Sequence, residues 1–418
     1  MAEPENSRAE GRAAFQYPSF VLFQTARFCI VLATEMQSVA VGWQVYEITK
    51  RPLDLGLVGL AQFLPGILLF LVSGHVADRY DRRKVVVVCY SGFTLCSALL
   101  LSTAIRGVRD VSYIFAVLAL LGIVRSFNGP VSRALLPQLV PEEHFPNAVA
   151  WASTFFQGAA ILGPALGGII YAAFRGPAAV YGLAAGMAIA AIFSVLRIKT
   201  QAKARAREPI NSSTVLAGLR YIWREKLILG SISLDLFAVF LGGAVALLPV
   251  YAREILLTGP WGLGLLRTAP GVGAAAMAVF LAHRPFRRKV GLIMLWCVGG
   301  FGLFTILFGI SHSLALSLIA LVFVGATDMV SVIVRGVLIQ VATPDEMRGR
   351  VNAVDMVFIG ASNEFGEFES GLTAQWFGTV PAVILGGIGT IVVTAIWAWR
   401  FPELRKVEQL HSLPDRAG

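Results

Sequence analysis

The chain alternates long apolar runs with short polar connections from near its start to near its end. A helix that crosses a bilayer needs about 20 mainly apolar residues. The pattern predicts about twelve, over residues 19–47, 54–77, 85–105, 111–136, 147–173, 178–197, 227–252, 261–282, 290–311, 313–340, 351–377 and 380–400. Spanning β-strands are only about 10 residues long, so run length excludes a barrel. The one long internal polar segment, with Lys199, Lys203, Arg205, Arg207 and Pro209, divides the runs into two sets of six. The organisation expected is a tail over 1–18, a bundle over 19–197, a linker over 198–226, a second bundle over 227–400 and a tail over 401–418.

The two sets repeat one another. Gly74-His75-Val76-Ala77-Asp78-Arg79-Tyr80-Asp81-Arg82-Arg83-Lys84 follows the second run, and a degraded copy, His283-Arg284-Pro285-Phe286-Arg287-Arg288-Lys289, follows the eighth. At a nearly equal offset, Gly122, Pro141 and Glu143 align with Gly325, Pro344 and Glu346. Parallel repeats of this kind form two bundles related by an axis along the membrane normal, with a cavity at mid-membrane. The fold class predicted is an all-α membrane protein of twelve transmembrane helices in two pseudo-symmetric six-helix bundles.

Composition changes the picture in one respect. Hydrophobic residues make up 56% of the chain and charged ones 14%, against about 25% charged in soluble proteins. The formal charge of +10 therefore points to inner-leaflet phosphates and not to nucleic acid. With both termini cytoplasmic, roughly 25 basic residues lie inside and about 6 outside, the asymmetry expected of a multi-pass protein of the inner (cytoplasmic) membrane. Residues 1–18 lack the features of a cleaved signal and read as a cytoplasmic tail.

Chemistry is sparse. The four cysteines, Cys29, Cys89, Cys96 and Cys297, lie in apolar stretches and read as packing residues. The five histidines show no ligand spacing, so neither a metal nor a cofactor is expected. No phosphate loop of the form G-x-x-x-x-G-K-S/T is present, which leaves direct ATP drive unsupported. A polytopic lipid enzyme would need a nucleophile with its base or a metal cluster near one interface, and the sequence offers neither.

Charges inside spans cost about 2.5–3.5 kcal/mol each on insertion scales, so those that persist need a partner or a wet cavity. Arg27, Glu35, Arg125, Asp235, Arg267, Asp328, Arg335, Glu364, Glu367 and Glu369 are such residues. Glu35, Asp235, Asp328, Glu364 and Glu367 are the candidates for carrying protons, and Arg27 and Arg125 for tuning them or contacting an anionic cargo. Glu364 and Glu367, three apart, share a helix face, an arrangement that favours holding one proton between two carboxylates.

Three motifs carry a resemblance to a known family. Gly74, Asp78, Arg79, Arg82 and Arg83 match G-x-x-x-D-R-x-G-R-R/K, with Asp81 where glycine is usual. Arg125 and Gly129, with Asn128, resemble R-x-x-Q-G, and Gly163-Pro164-Ala165-Leu166-Gly167-Gly168 matches G-P-x-x-G-G. Over almost its whole length the chain resembles a major facilitator superfamily transporter of the proton-antiporter type. Thr343 to Ala353 and Gly366 to Gly371 are similar to the branch of enterobactin exporters and macrolide efflux proteins.

The resemblance implies a monomeric secondary transporter that exchanges protons for a small molecule by alternating access. Gly74, Asp78, Arg79, Arg82 and Arg83 would form a cytoplasmic gate, and Gly163, Pro164, Gly167 and Gly168 would seal or bend the fifth helix. Siderophore export and multidrug or macrolide efflux stand as rival activities. An importer or uniporter shares the fold, although the antiporter glycine motif weighs against it.

Overall fold

The computed structural model describes residues 11–199, 212–286 and 288–408, and among them every regular element is a helix. The principal helices are α1 Pro18–Thr49, α2 Pro52–Leu68, α3 Phe70–Arg79, α4 Arg82–Ile105, α5 Val111–Leu135, α6 Phe145–Ala173 and α7 Ala178–Leu196. They continue as α8 Ser212–Arg224, α9 Lys226–Leu241, α10 Gly259–His283, α11 Val290–Gly309, α12 Leu314–Ala342, α13 Asp345–Phe377 and α14 Thr379–Arg400. Among the described residues, ten helices are long and apolar enough to cross a membrane. Their outward faces carry bare apolar side chains such as Val88, Trp296 and Trp399. A water-soluble protein could not sustain that surface, whereas lipid makes it the stable one.

Three expected elements take a different form. The run over 54–77 is two helices, because the chain departs from helical geometry at Leu69 (φ −95°, ψ 2°), one turn after the interior Pro65. Pro65 itself lies inside α2, and the Leu69 N–H still donates to the Pro65 carbonyl at 3.1 Å, so the break falls beyond the turn in which the proline removes a donor. The run over 227–252 stops at Leu241, because Gly242 and Gly243 leave the helix, and it resumes as short turns that end in a π-helix over Tyr251–Ile255. Part of the expected linker is ordered, since Ser212–Arg224 is helical.

Local signals account for the helix starts. Asp81 accepts hydrogen bonds from the backbone N–H groups of Arg83 (3.0 Å) and Lys84 (3.5 Å), so the residue that replaces the usual glycine caps α4. Asp110 caps α5 through the Ser112 N–H at 2.9 Å, and that bond holds its carboxyl below the usual carboxylate range. Proline stands at or beside the first turn of α1, α2, α6 and α10, where its missing N–H costs nothing.

The chain forms two compact units. One takes the chain as far as Gln44 and again over Leu64–Ile210; the other takes Val45–Phe63 and the chain from Asn211 onward. The last turn of α1 and most of α2 therefore pack with the C-terminal half. In the first unit α4 lies against α5 and α7. In the second, α12 packs on α10 and α11, and α11 on α14. These contacts are close because glycines remove side chains: a Cβ on Gly302 would stand 2.7 Å from the Gly387 carbonyl oxygen, and one on Gly387 2.6 Å from that of Gly302.

Candidate functional site

In the second unit α12 carries Asp328, Ser331 and Arg335 at spacings of three and four, which places them on one helix face. The Arg335 guanidinium forms an ion pair with Asp235 of α9, and its Nε lies 3.7 Å from Asp355 Oδ1 of α13. All three side chains are withdrawn from the surface, at 4%, 7% and 14% exposure for Arg335, Asp235 and Asp355. An uncompensated charge at such depth costs several kcal/mol, so both carboxylates depend on the one guanidinium and it on them. The arrangement is unevenly satisfied: Asp355 Oδ1 is buried, accepts no hydrogen bond, and has only the long contact with Arg335.

Asp328 joins this cluster across a cavity with room for about one water. Asp235, Asp328 and Ser331 supply the polar part of its wall, and Val298 and Phe301 part of the apolar wall. The Ser331 hydroxyl is buried and makes no hydrogen bond to the protein. Two carboxyl groups thus flank the Arg335 guanidinium, and a third, that of Asp328, shares a cavity with Asp235. With all three ionised the group would carry an excess of negative charge.

A second pair of acids lies in the same unit. Glu364 and Glu367 of α13 both turn toward Gly59 of α2, where a Cβ would stand 2.6 Å from Glu364 Oε2 and 2.7 Å from Glu367 Oε2. The two carboxyl groups expected to share a helix face therefore meet over one glycine. Gly56, one turn earlier, brings α2 against the α13 backbone, since its Cβ would lie 2.8 Å from the Phe368 Cα. Glu369 instead accepts a hydrogen bond from the Thr373 hydroxyl at 2.7 Å. Further along, the Tyr46 hydroxyl donates to Glu254 Oε1 at 2.5 Å, and Arg253 pairs with Glu47 at 3.4 Å.

The first unit holds the remaining candidates. Glu35 of α1 lies against Gly163 of α6, where an added Cβ would collide with the Glu35 side chain. A Cβ on Gly167 would stand 2.7 Å from the Met36 carbonyl oxygen. Pro164 and Gly168 are buried in the same helix. Gly163 and Gly167 of the motif are thus positions at which α6 closes on α1. Arg27 sits over the Phe156 ring, 5.7 Å from its centre, and Arg125 is exposed on α5.

The basic hairpin is only partly a free loop. Arg83 donates from Nε to the Val195 carbonyl at 3.1 Å and from its guanidinium to that of Leu196. It thereby satisfies the last carbonyls of α7, where a helix dipole also favours a cation. Arg79 and Arg82 flank the turn between α3 and α4, Gly74 lies in α3, and the side chain of Asp78 lies outside the described residues.

Sequence reasoning placed Asp235 and Asp328 among the proton candidates, but neither paired them with Arg335 nor singled out Asp355. Asp355 lies near the start of an expected span, one turn past Val351, where an acid reads as part of the polar boundary. The available signal was the Asp328, Ser331, Arg335 stripe, which demands acidic partners on neighbouring helices. Among the described residues, no group of three or more His, Cys, Asp or Glu could hold a metal ion.

The sequence profile of transmembrane secretion effectors matches residues 10–416. The chain is 26% identical over 410 residues to the enterobactin exporter EntS of Citrobacter koseri, covering 96% of each chain. It is 28% identical over 412 residues to EntS of Salmonella typhi, again covering 96% of each. Among solved structures, a bacterial homologue of the human lysosomal transporter Spinster, inward-facing and occupied, superposes with a TM-score of 0.72 at 11% identity, over 92% of this chain and 97% of that one. A D-xylose-proton symporter gives 0.69 at 15% identity, over 93% and 99%. At those identities the structures speak to the fold alone, and the fold is that of the major facilitator superfamily. The chain belongs to the transmembrane secretion effector family of that superfamily: it is a multi-pass membrane exporter and not an enzyme.

Proposed function

We propose that the protein exports a siderophore-like, moderately large amphipathic compound across the cytoplasmic membrane in exchange for protons, by alternating access. The observation that carries proton coupling is the single Arg335 guanidinium shared by Asp235 and Asp355, with Asp328 facing the same water-sized cavity. A proton taken up by the Asp328 carboxylate leaves a neutral acid and reduces the excess negative charge of the cluster; its release restores that excess. Protonation and conformation are then linked, because only one of the two states tolerates closure of the surrounding helices without water. Glu364 and Glu367 over Gly59 form a second carboxyl pair able to hold one proton, and Glu35 beside Gly163 couples the α1–α6 contact to charge. Arg27 and Arg125 are the cationic contacts for an anionic cargo.

In this reading the polar α13 and the broken α2 and α3 each count as one span, which brings the total to twelve, with both termini cytoplasmic. The polarity of α13 is what function requires: its acids line a protonatable path and not a lipid face. The hairpin from Gly74 through Asp78, Arg79, Arg82 and Arg83 is the cytoplasmic gate. The two enterobactin exporters named above support the siderophore class.

The test is reconstitution in vesicles with an imposed pH gradient and a panel of catecholate siderophores, macrolides and cationic dyes. Gradient-driven flux of a catecholate is expected in the unaltered protein. Asp328→Asn is expected to lower that flux at least tenfold while leaving downhill exchange without a gradient measurable. Flux in Asp328→Asn that still follows the gradient would remove Asp328 from the proton path. Flux of macrolides alone would replace the cargo class.

A further inference from the structure

The helix α8, Ser212–Arg224, is amphipathic in an unusual setting. Its inner face is well anchored. Ile222 is buried in a cluster with Ile228, Ile232, Ile339, Val351 and Val354, and the Tyr221 hydroxyl donates to the Ala342 carbonyl at 3.0 Å. Gly218 lets the helix close on α13, since a Cβ there would stand 2.7 Å from the Arg350 carbonyl oxygen. Every one of these anchors lies at or near a span end: the first turns of α9, the last turns of α12 and the first turns of α13. The helix is therefore held at the level where hydrocarbon gives way to water.

Glu225, extended at φ −94° and ψ 94°, separates α8 from α9, so α8 does not simply continue the span that follows it. Its outer face is mixed in a specific way. Among the described side chains of α8, the exposed ones are Leu216, Arg220, Trp223 and Arg224, which recur at spacings of four, three and one and so form one stripe. Leu216 is 60% exposed and Trp223 67%. A large indole left bare on an aqueous surface is costly, whereas tryptophan is favoured at the membrane interface. Two guanidiniums beside it, with no acid in the exposed stripe, complement phosphate, which a guanidinium can bind through two parallel donors.

We infer that the outer face of α8 is a binding site for an anionic phospholipid of the adjacent leaflet, with Arg220 and Arg224 on the headgroup phosphate and Leu216 and Trp223 among the upper acyl carbons. The site goes beyond export and does not depend on which acid carries a proton. It fixes the depth of α8 in the membrane, and through Tyr221 and Gly218 the last turn of α12 and the first turns of α13, the two helices that carry Asp328, Arg335 and Asp355 further along.

The experiment titrates the purified full-length protein with phosphatidylglycerol and, separately, phosphatidylcholine, and counts bound lipids by native mass spectrometry. Basic residues near an anionic surface are worth about 1 kcal/mol each. Arg220→Gln combined with Arg224→Gln should therefore weaken the first phosphatidylglycerol about thirtyfold and leave phosphatidylcholine unchanged. Arg220→Lys with Arg224→Lys should keep most of the preference, because charge is retained. Should the double glutamine variant not fold, each single variant should show a loss of about fivefold. Unchanged phosphatidylglycerol affinity in a folded glutamine variant would overturn the site. So would equal displacement by soluble glycerol phosphate, which would mark a free-anion site, or a dimer lost in the glutamine variant, which would assign the face to a second copy of the chain.

Discussion

Arg335→Leu is expected to be the most damaging single change in the second unit. It deletes the only cation paired with Asp235 and Asp355 among the described residues, and breaking a buried pair by removing one partner costs about 3–5 kcal/mol. Against a total stability of about 5–15 kcal/mol for a typical domain, that is enough to lower the amount of folded protein visibly. Thermal unfolding in detergent and the abundance of the membrane-inserted protein are the measurements. The informative comparison is the triple variant Asp235→Asn, Arg335→Leu, Asp355→Asn, which removes every formal charge of the pairings at once. Buried ion pairs replaced as a set are often neutral for stability. The triple variant should regain most of the lost stability and still fail in gradient-driven flux. Recovery of both properties would show the pairing to be structural only.

Gly167→Leu should give the opposite pattern, with folding largely preserved and transport lost. A Cβ at Gly167 would stand 2.7 Å from the Met36 carbonyl oxygen and 2.8 Å from its Cα, both backbone atoms that no rotamer change can move aside. The larger side chain must push α6 away from α1. Helices in lipid tolerate such displacement better than a water-soluble core does, because their backbone hydrogen bonds are satisfied within each helix. Insertion should therefore stay within about twofold of the unaltered protein while flux falls by at least a hundredfold, about 2.7 kcal/mol in the limiting step. A Gly167→Leu protein that transports normally would show that the α1–α6 contact need not be this close in any state of the cycle. At Gly163 the added atom would meet the Glu35 Cβ, which its own backbone fixes in place, and would stand 3.2 Å from the Leu32 carbonyl oxygen.

Much of the site was legible in one dimension, though not its pairings. The cost of burying charge picks out Asp235, Asp328, Arg335, Glu364 and Glu367 wherever the chain folds, because few uses other than function repay it. Which acid meets which arginine depends on the mutual rotation of α9, α12 and α13, and no periodicity within a helix reports that rotation. Asp355 escaped for this reason: beside the first turns of α13 it reads as a boundary residue until Arg335 is seen facing it. Arg83 shows the converse. Its place in the gate motif was evident, but its bonds to the last carbonyls of α7 make it a structural clamp as well.

From its order of residues alone this protein was bound to be helical, membrane-embedded and duplicated, since run length, the scarcity of charge and the repeated basic hairpin are properties of the chain read in sequence. Tertiary structure alone decided that residues 45–63 pack with the C-terminal half, that α8 is anchored at the ends of α9, α12 and α13, and that Asp235 and Asp355 share Arg335 while Asp328 faces a water-sized cavity beside Asp235. The physical reason is the range of the forces involved. Burial of apolar surface and backbone hydrogen bonding act along a helix and leave a periodic trace, whereas ion pairing and glycine-mediated contact act between helices and are set only once those helices have docked.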